Sequence, residues 1–134
     1  MQIEYALLAD YAEIVGNKLY VMGGGWDTFA APEAPAFVRL AIAVGVRVPW
    51  EETNQQIPIH VAIEDDDGRE LGRIEGSVMV GRPAELPPGS SQLAQMAANV
   101  PLTVPAFGGY RTRISAGKDA IATLALPFRV LQRK

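Results

Sequence analysis

The run FVRLAIAVGVRV, residues 37–48, alternates without a break. Val38, Leu40, Ile42, Val44, Val46 and Val48 fall on one parity. Arg39, Ala41, Ala43, Gly45 and Arg47 fall on the other. In a strand, successive side chains point to opposite faces, so a period of two sorts residues in this way. A helix would mix the two sets. The run is therefore a strand of about eleven residues with one buried face, as in an antiparallel sheet.

Other segments repeat the pattern. QIPIHVAIEDDDGRELGRIEGSVMVGRP reads as a hairpin, with Ile57, Ile59, Val61 and Ile63 on one face and DDDG as the turn. Ile74, Val78 and Val80 share a face of the return strand. Pro58 stands at a strand start and suits an edge position. GGYRTRISAGKDAIATLALPFRVLQ reads as a second hairpin about AGKD, and Pro127 marks an edge or a bulge there. QIEYALLADYAEIV and KLYVMGGGWDTF flank the turn GNK and form a third.

SSQLAQMAANVPLTVP fits two templates. Leu93, Met96, Ala97 and Val100 fit a helical face. Ala94, Met96, Ala98, Val100, Leu102 and Val104 fit a strand face. The strand is preferred because the surroundings are β, and Pro101 would end a helix. The chain has 134 residues, one ordinary domain over 1–134. The expected fold is a single all-β, antiparallel β-sandwich of about eight strands, jelly-roll-like or immunoglobulin-like.

Composition excludes several chemistries. There is no cysteine, so disulfides, thiolate catalysis and Cys-ligated zinc are absent. The net charge is −3, and the tail RVLQRK is the only basic block, so nucleic acid is not an expected partner. No apolar run approaches the ~20 residues that span a bilayer, and no membrane association is expected. The start MQIEYALLADYAEIV carries Glu4, Asp10 and Glu13 where a secretory signal would be basic and then apolar. The expected location is cytoplasmic.

The segments EYALLADYAEIV, LYVMGGGWDTF, VPWEETNQ and DDDGRE resemble an uncharacterised family of small bacterial proteins, a domain of unknown function. The resemblance covers nearly the whole chain. The Gly-Gly-Gly-Trp-Asp run is its most specific part. It implies a β-sandwich and supplies no activity, cofactor or site residue.

Gly23, Gly24 and Gly25 are the first candidate site. A Walker loop needs a following Lys-Ser/Thr, which is missing. A dinucleotide fingerprint needs a third glycine at position 28, which is Thr. The structural reading is preferred: a bulge, a bend, or a close approach, with Trp26 large enough to be the approaching group. The binding alternative makes these glycines, Trp26 and Asp27 the floor of a groove. Trp26 is expected in the core. Trp50, after Pro49 at a strand end, is balanced between capping the core and binding a ligand or partner.

Glu64 to Asp67 lack the first ligand of an EF-hand loop, because position 63 is Ile. A solvated turn is expected. His60, the only histidine, has no G-x-S-x-G elbow and no second metal ligand in register. No metal or other cofactor is expected. Beside Arg39, the row Ala41, Ala43 and Gly45 is unusually small and apolar for an outward face. Either another segment of the chain covers it, which is preferred, or a second subunit packs on it.

The leading functional expectation is a non-catalytic protein-binding or assembly module, with a homo-oligomer or another protein as partner. The alternative is a small-ligand or carbohydrate binder using Trp26 and Trp50. A hydrolase relying on Asp and Glu alone ranks third, since its carboxylates can be distant in sequence.

Overall fold

The computed structural model describes residues 1–133. Nine strands follow one another: β1 (Gln2–Val15), β2 (Lys18–Gly24), β3 (Thr28–Ala31), β4 (Ala36–Val48), β5 (Ile57–Asp65), β6 (Glu70–Val78), β7 (Gln92–Val104), β8 (Gly108–Ala116) and β9 (Ala122–Gln132). They make two sheets, ordered β2-β1-β4-β7 and β3-β9-β8-β5-β6. The all-β sandwich read from the sequence is the fold observed. No helix among the described residues is long and apolar enough to cross a membrane.

The core lies between the sheets. From β4, Val38, Leu40, Ile42, Val44, Val46 and Val48 enter it. Ile57, Ile59, Val61 and Ile63 of β5 meet them, as do Tyr110 and Ile114 of β8 and Phe128 and Val130 of β9. Segment 90–104 is a strand: β7 pairs with β4 from Ala36↔Val104 to Val48↔Gln92. Pro101 is tolerated because β7 is an edge.

Two expectations need correction. The stretch 18–29 is two strands, not one, because β3 leaves for the other sheet and pairs in parallel with β9. That raises the count to nine and makes one pairing parallel. Pro58 is not at an edge, since β5 lies between β8 and β6. The β5–β8 ladder begins only at Ile59↔Ala116, and the Pro58 carbonyl takes the Gly117 N–H at 2.9 Å. The nitrogen of a strand residue points the same way as its carbonyl, so the missing N–H falls past the ladder's end. Pro127 behaves as expected: β3 pairs with β9 only from Arg129 onward, leaving β9 an edge at 127.

The outward row of β4 is covered by another segment of the chain, as preferred, so Ala41, Ala43 and Gly45 are not the subunit interface of the alternative reading. Ala41 and Ala43 have no exposed surface, and Gly45 is buried. The β1–β4 ladder stops at Ala9↔Ala41. Beyond it, the β1–β2 hairpin folds over the outside of β4 and β7. Ala9 and Ala12 pack with Ala41 and Ala43, against Tyr5, Leu7, Leu19 and Ala97. The Asn99 side chain on β7 holds both backbone groups of Ala12, and Gln95 donates to the Asn17 carbonyl at 2.8 Å. Small residues are required here because a third layer of backbone lies against the sheet.

Candidate functional site

The glycine run sits where the hairpin rejoins the sandwich. Gly23 (φ +60°) and Gly25 (φ +84°) adopt the left-handed region that glycine enters without a steric cost. The Gly25 N–H donates to the Leu8 carbonyl at 2.8 Å. The chain then crosses to the second sheet, where the Asp27 carbonyl accepts the Arg129 N–H at 2.9 Å. The Asp27 carboxylate takes the Thr28 hydroxyl at 3.0 Å. The run is therefore a crossing between sheets. The group that approaches it is not Trp26: the Asp10 side chain occupies the space beside Gly23, and Val21 that beside Gly24.

Trp26 turns inward. Its ring lies 6.3 Å from Phe29 and 6.3 Å edge-on from Phe128, which in turn stacks on Tyr110 at 5.6 Å. Its buried indole N–H has no acceptor among the described residues. Trp50 follows the far end of β4. The Arg82 guanidinium lies 4.3 Å over its ring and donates to the Trp50 carbonyl at 3.0 Å. Arg82 also donates to the Thr53 hydroxyl at 2.7 Å, and this hydroxyl donates to the Trp50 carbonyl at 2.8 Å. Trp26 and Trp50 thus do not form one platform. Of the row Arg39, Ala41, Ala43 and Gly45, only Arg39 reaches the surface.

What the fold does bring together is a groove on the shoulder of the hairpin. Asp10, Tyr11, Met22, Gly23, Phe37 and Arg39 line it, together with the half-buried Phe29. It continues past Asn99 and Val100 to Pro101 on β7. Met22, Phe37 and Tyr11 are 69%, 59% and 44% exposed. Tyr11 donates to Glu13 at 3.1 Å, and that bond, with the Glu13 charge, raises its pKa. Sequence reasoning picked out Gly23 and Arg39 and missed the rest. A signal existed for Phe37, which shares the outward parity of Arg39. Tyr11 and Met22 are register partners, but only the bend after Ala9 shows that they face solvent beside Phe37.

A second, polar hollow lies on the outer face of β5, β8 and β9. His60, Arg113, Ser115 and Thr123 line it, with Arg73 of β6, over Ala62 and Ala125. Nearby, buried Glu64 accepts from Arg111 and lies 3.6 Å from Arg113, tying β5 to β8. The Asp65 carboxylate accepts the N–H groups of Asp67 (3.0 Å) and Arg69 (2.9 Å), which closes the β5–β6 turn. Among the described residues no three His, Asp or Glu side chains converge as a metal site.

Two sheets around one core, with a hairpin strapped across the back of one, define a β-sandwich domain with exposed Tyr11, Met22 and Phe37 on the hairpin shoulder. The chain belongs to a family of unknown function, DUF6941, whose model matches residues 4–130. No curated protein matches it. Among solved structures it is similar to a glycosyl hydrolase family 2 member from Bacteroides cellulosilyticus, at TM-score 0.53 and 8% identity. That match covers 94% of this chain and 15% of the hydrolase, so the chain spans a small part of that protein's length. The likeness shows the fold alone. The CARDB domain of a Pyrococcus furiosus protein, solved in complex with di-metal ions, matches at TM-score 0.41 and 15% identity, covering 80% of this chain and 86% of that one.

Proposed function

We propose that this domain is a non-catalytic protein-binding module and that the shoulder groove is its contact surface. The observation that carries this reading is the grouping of Tyr11, Met22 and Phe37, all exposed, around Asp10 and Arg39. Aromatic residues, Met and Arg are the types enriched at the centres of protein interfaces. Grouped apolar surface of this kind marks contact sites. Burying it contributes roughly 25 cal/mol for each Å² removed from water. The adjoining edge strand β2 adds support. It presents Tyr20, Val21 and Met22 with no proline, and an open sheet edge is a template for further pairing. A carboxylate-based hydrolase needs two carboxyl groups roughly 5–10 Å apart across a cleft. Glu64, whose carboxylate is buried, is engaged by arginines, and the half-buried Glu52 has one buried oxygen without a partner among the described residues.

The test compares the wild-type chain with a triple variant, Tyr11→Ser, Met22→Ser and Phe37→Ser, in cross-linking from cells of the source organism. The variant is expected to keep the wild-type circular dichroism spectrum and to lose the wild-type cross-links. Cross-links that survive all three substitutions would remove the groove as the contact surface.

A further inference from the structure

We propose that the groove's partner is a second copy of this chain, related by a two-fold axis that sets Asp10 of each copy against Arg39 of the other. This rests on the protein-binding reading above and identifies the occupant.

The argument starts from a contrast along one row of β4. Arg39 and Arg47 share its outward face. Arg47 is matched across the ladder by Glu4 of β1, with N···O at 2.8 Å. Arg39 has no such neighbour, because β1 leaves β4 after Ala9. Arg73 and Arg111 also have carboxylate partners within their own sheet. Arg39 and Asp10 line the same groove, yet neither forms an ion pair among the described residues, with each other or with any third group. The fold thus presents one acid and one base, both unmatched, among exposed apolar side chains.

A two-fold interface brings the same patch together from both sides, so it must be complementary to itself. One acid and one base satisfy that condition, since rotation places each opposite the other. The two charged residues that line the groove, Asp10 and Arg39, cancel each other, although the chain carries −3 overall and Glu13 stands beside the Tyr11 hydroxyl. An acidic or a basic partner would match one of the two groups and leave the other facing a like charge, which disfavours it. Across the axis, Tyr11, Met22 and Phe37 meet their counterparts and supply the apolar centre.

Sedimentation of the full chain tests this. The wild type is expected to be a dimer. Asp10→Lys and Arg39→Asp are each expected to be monomeric, because each puts two like charges in contact twice. Mixed in equal amounts, they are expected to form a heterodimer, since every contact then joins opposite charges, at least about tenfold tighter than either homodimer. Both positions are exposed, so the wild-type circular dichroism spectrum is expected for each, with a melting temperature lowered only by loss of the dimer. If either misfolds, Asp10→Asn and Arg39→Gln replace them and are expected to weaken the dimer without the rescue. A wild type that stays monomeric up to about 1 mM overturns the self-pairing. So does a dimer that is indifferent to the charge reversals. In both cases, cross-links lost in the triple serine variant would leave the protein-binding reading standing. Retained cross-links would end both.

Discussion

Tyr5 on β1 and Gly45 on β4 are direct cross-strand partners, and the tyrosine ring fills the space that any side chain at 45 would need. The same ring reaches across β4, where its hydroxyl donates to Gln95 of β7 at 2.6 Å. One side chain therefore spans three strands and lies within the packing that holds the folded-back hairpin to the sheet.

Gly45→Ala is accordingly expected to destabilise the fold although alanine is well tolerated in most strands. The added methyl displaces the Tyr5 ring and its bond to Gln95, and overpacking of this kind costs about 1–3 kcal/mol. Urea denaturation measures it. Tyr5→Ala clears the space, so adding Gly45→Ala to it should cost markedly less than it does in the wild type. Additive losses would mean that the ring is not what excludes a side chain at 45.

The same tyrosine sets an alkaline limit. Burial, and secondarily the negative charge of Glu4, raise the Tyr5 pKa above its ordinary 10.0. The folded state therefore holds the proton to higher pH than the unfolded chain does. Above about pH 10 the unfolded state binds fewer protons, so stability falls as pH rises through that window. Below it the contribution is fully present. Tyr5→Phe should show a shallower loss of melting temperature between about pH 9 and 11 than the wild type. Parallel curves would assign the loss to other groups.

Much of this was legible in the sequence, for a definite reason. Wherever a strand has one side in the core, periodicity reports it, so Val38 to Val48 and Ile57 to Ile63 could be read directly. Expectations failed where the deciding partner is remote. Nothing near Gly25 says that the chain changes sheets there, because that depends on Arg129, a hundred residues later. A cover over Ala41 and Gly45 was expected, but the segment that supplies it, a hairpin fastened by Gln95 and Asn99, could not be read. Trp50 stood balanced between capping the core and binding a partner, because Arg82, which lies over its ring, is thirty-two residues on. The shoulder groove was illegible for the same reason: its residues come from five strands that meet there only after β1 bends.

Glu64 offers a test of unequal partners. Its carboxylate is buried, and Arg111 bonds to it directly, whereas Arg113 is more exposed and stands 3.6 Å away. Removing the closer arginine leaves a buried charge without its main partner, which costs about 3 kcal/mol. Removing the exposed one costs at most about 1 kcal/mol. Arg111→Met should therefore lower the urea midpoint clearly more than Arg113→Met. Equal effects would mean that Glu64 is held by the pair rather than by Arg111.

Asn99 gives the sharpest probe of the third layer. Its side-chain oxygen accepts the Ala12 N–H at 3.2 Å, and its amide nitrogen donates to the Ala12 carbonyl at 2.8 Å. The side chain thereby supplies Ala12 with the two bonds that a neighbouring strand would provide, at a point where β1 has already left β4. Ala12 is fully buried, so water cannot substitute easily. Asn99→Ala leaves a buried donor and a buried acceptor unpaired, each worth about 1–3 kcal/mol. Asn99→Asp keeps the acceptor for the Ala12 N–H but sets a carboxylate oxygen against the Ala12 carbonyl, so it should destabilise as well. Hydrogen exchange locates the effect. The Ala12 amide should lose protection in Asn99→Ala ahead of amides on β5 and β8, because the hairpin lifts before the core opens. Uniform loss of protection across both sheets would instead make the hairpin part of the same cooperative unit as the core.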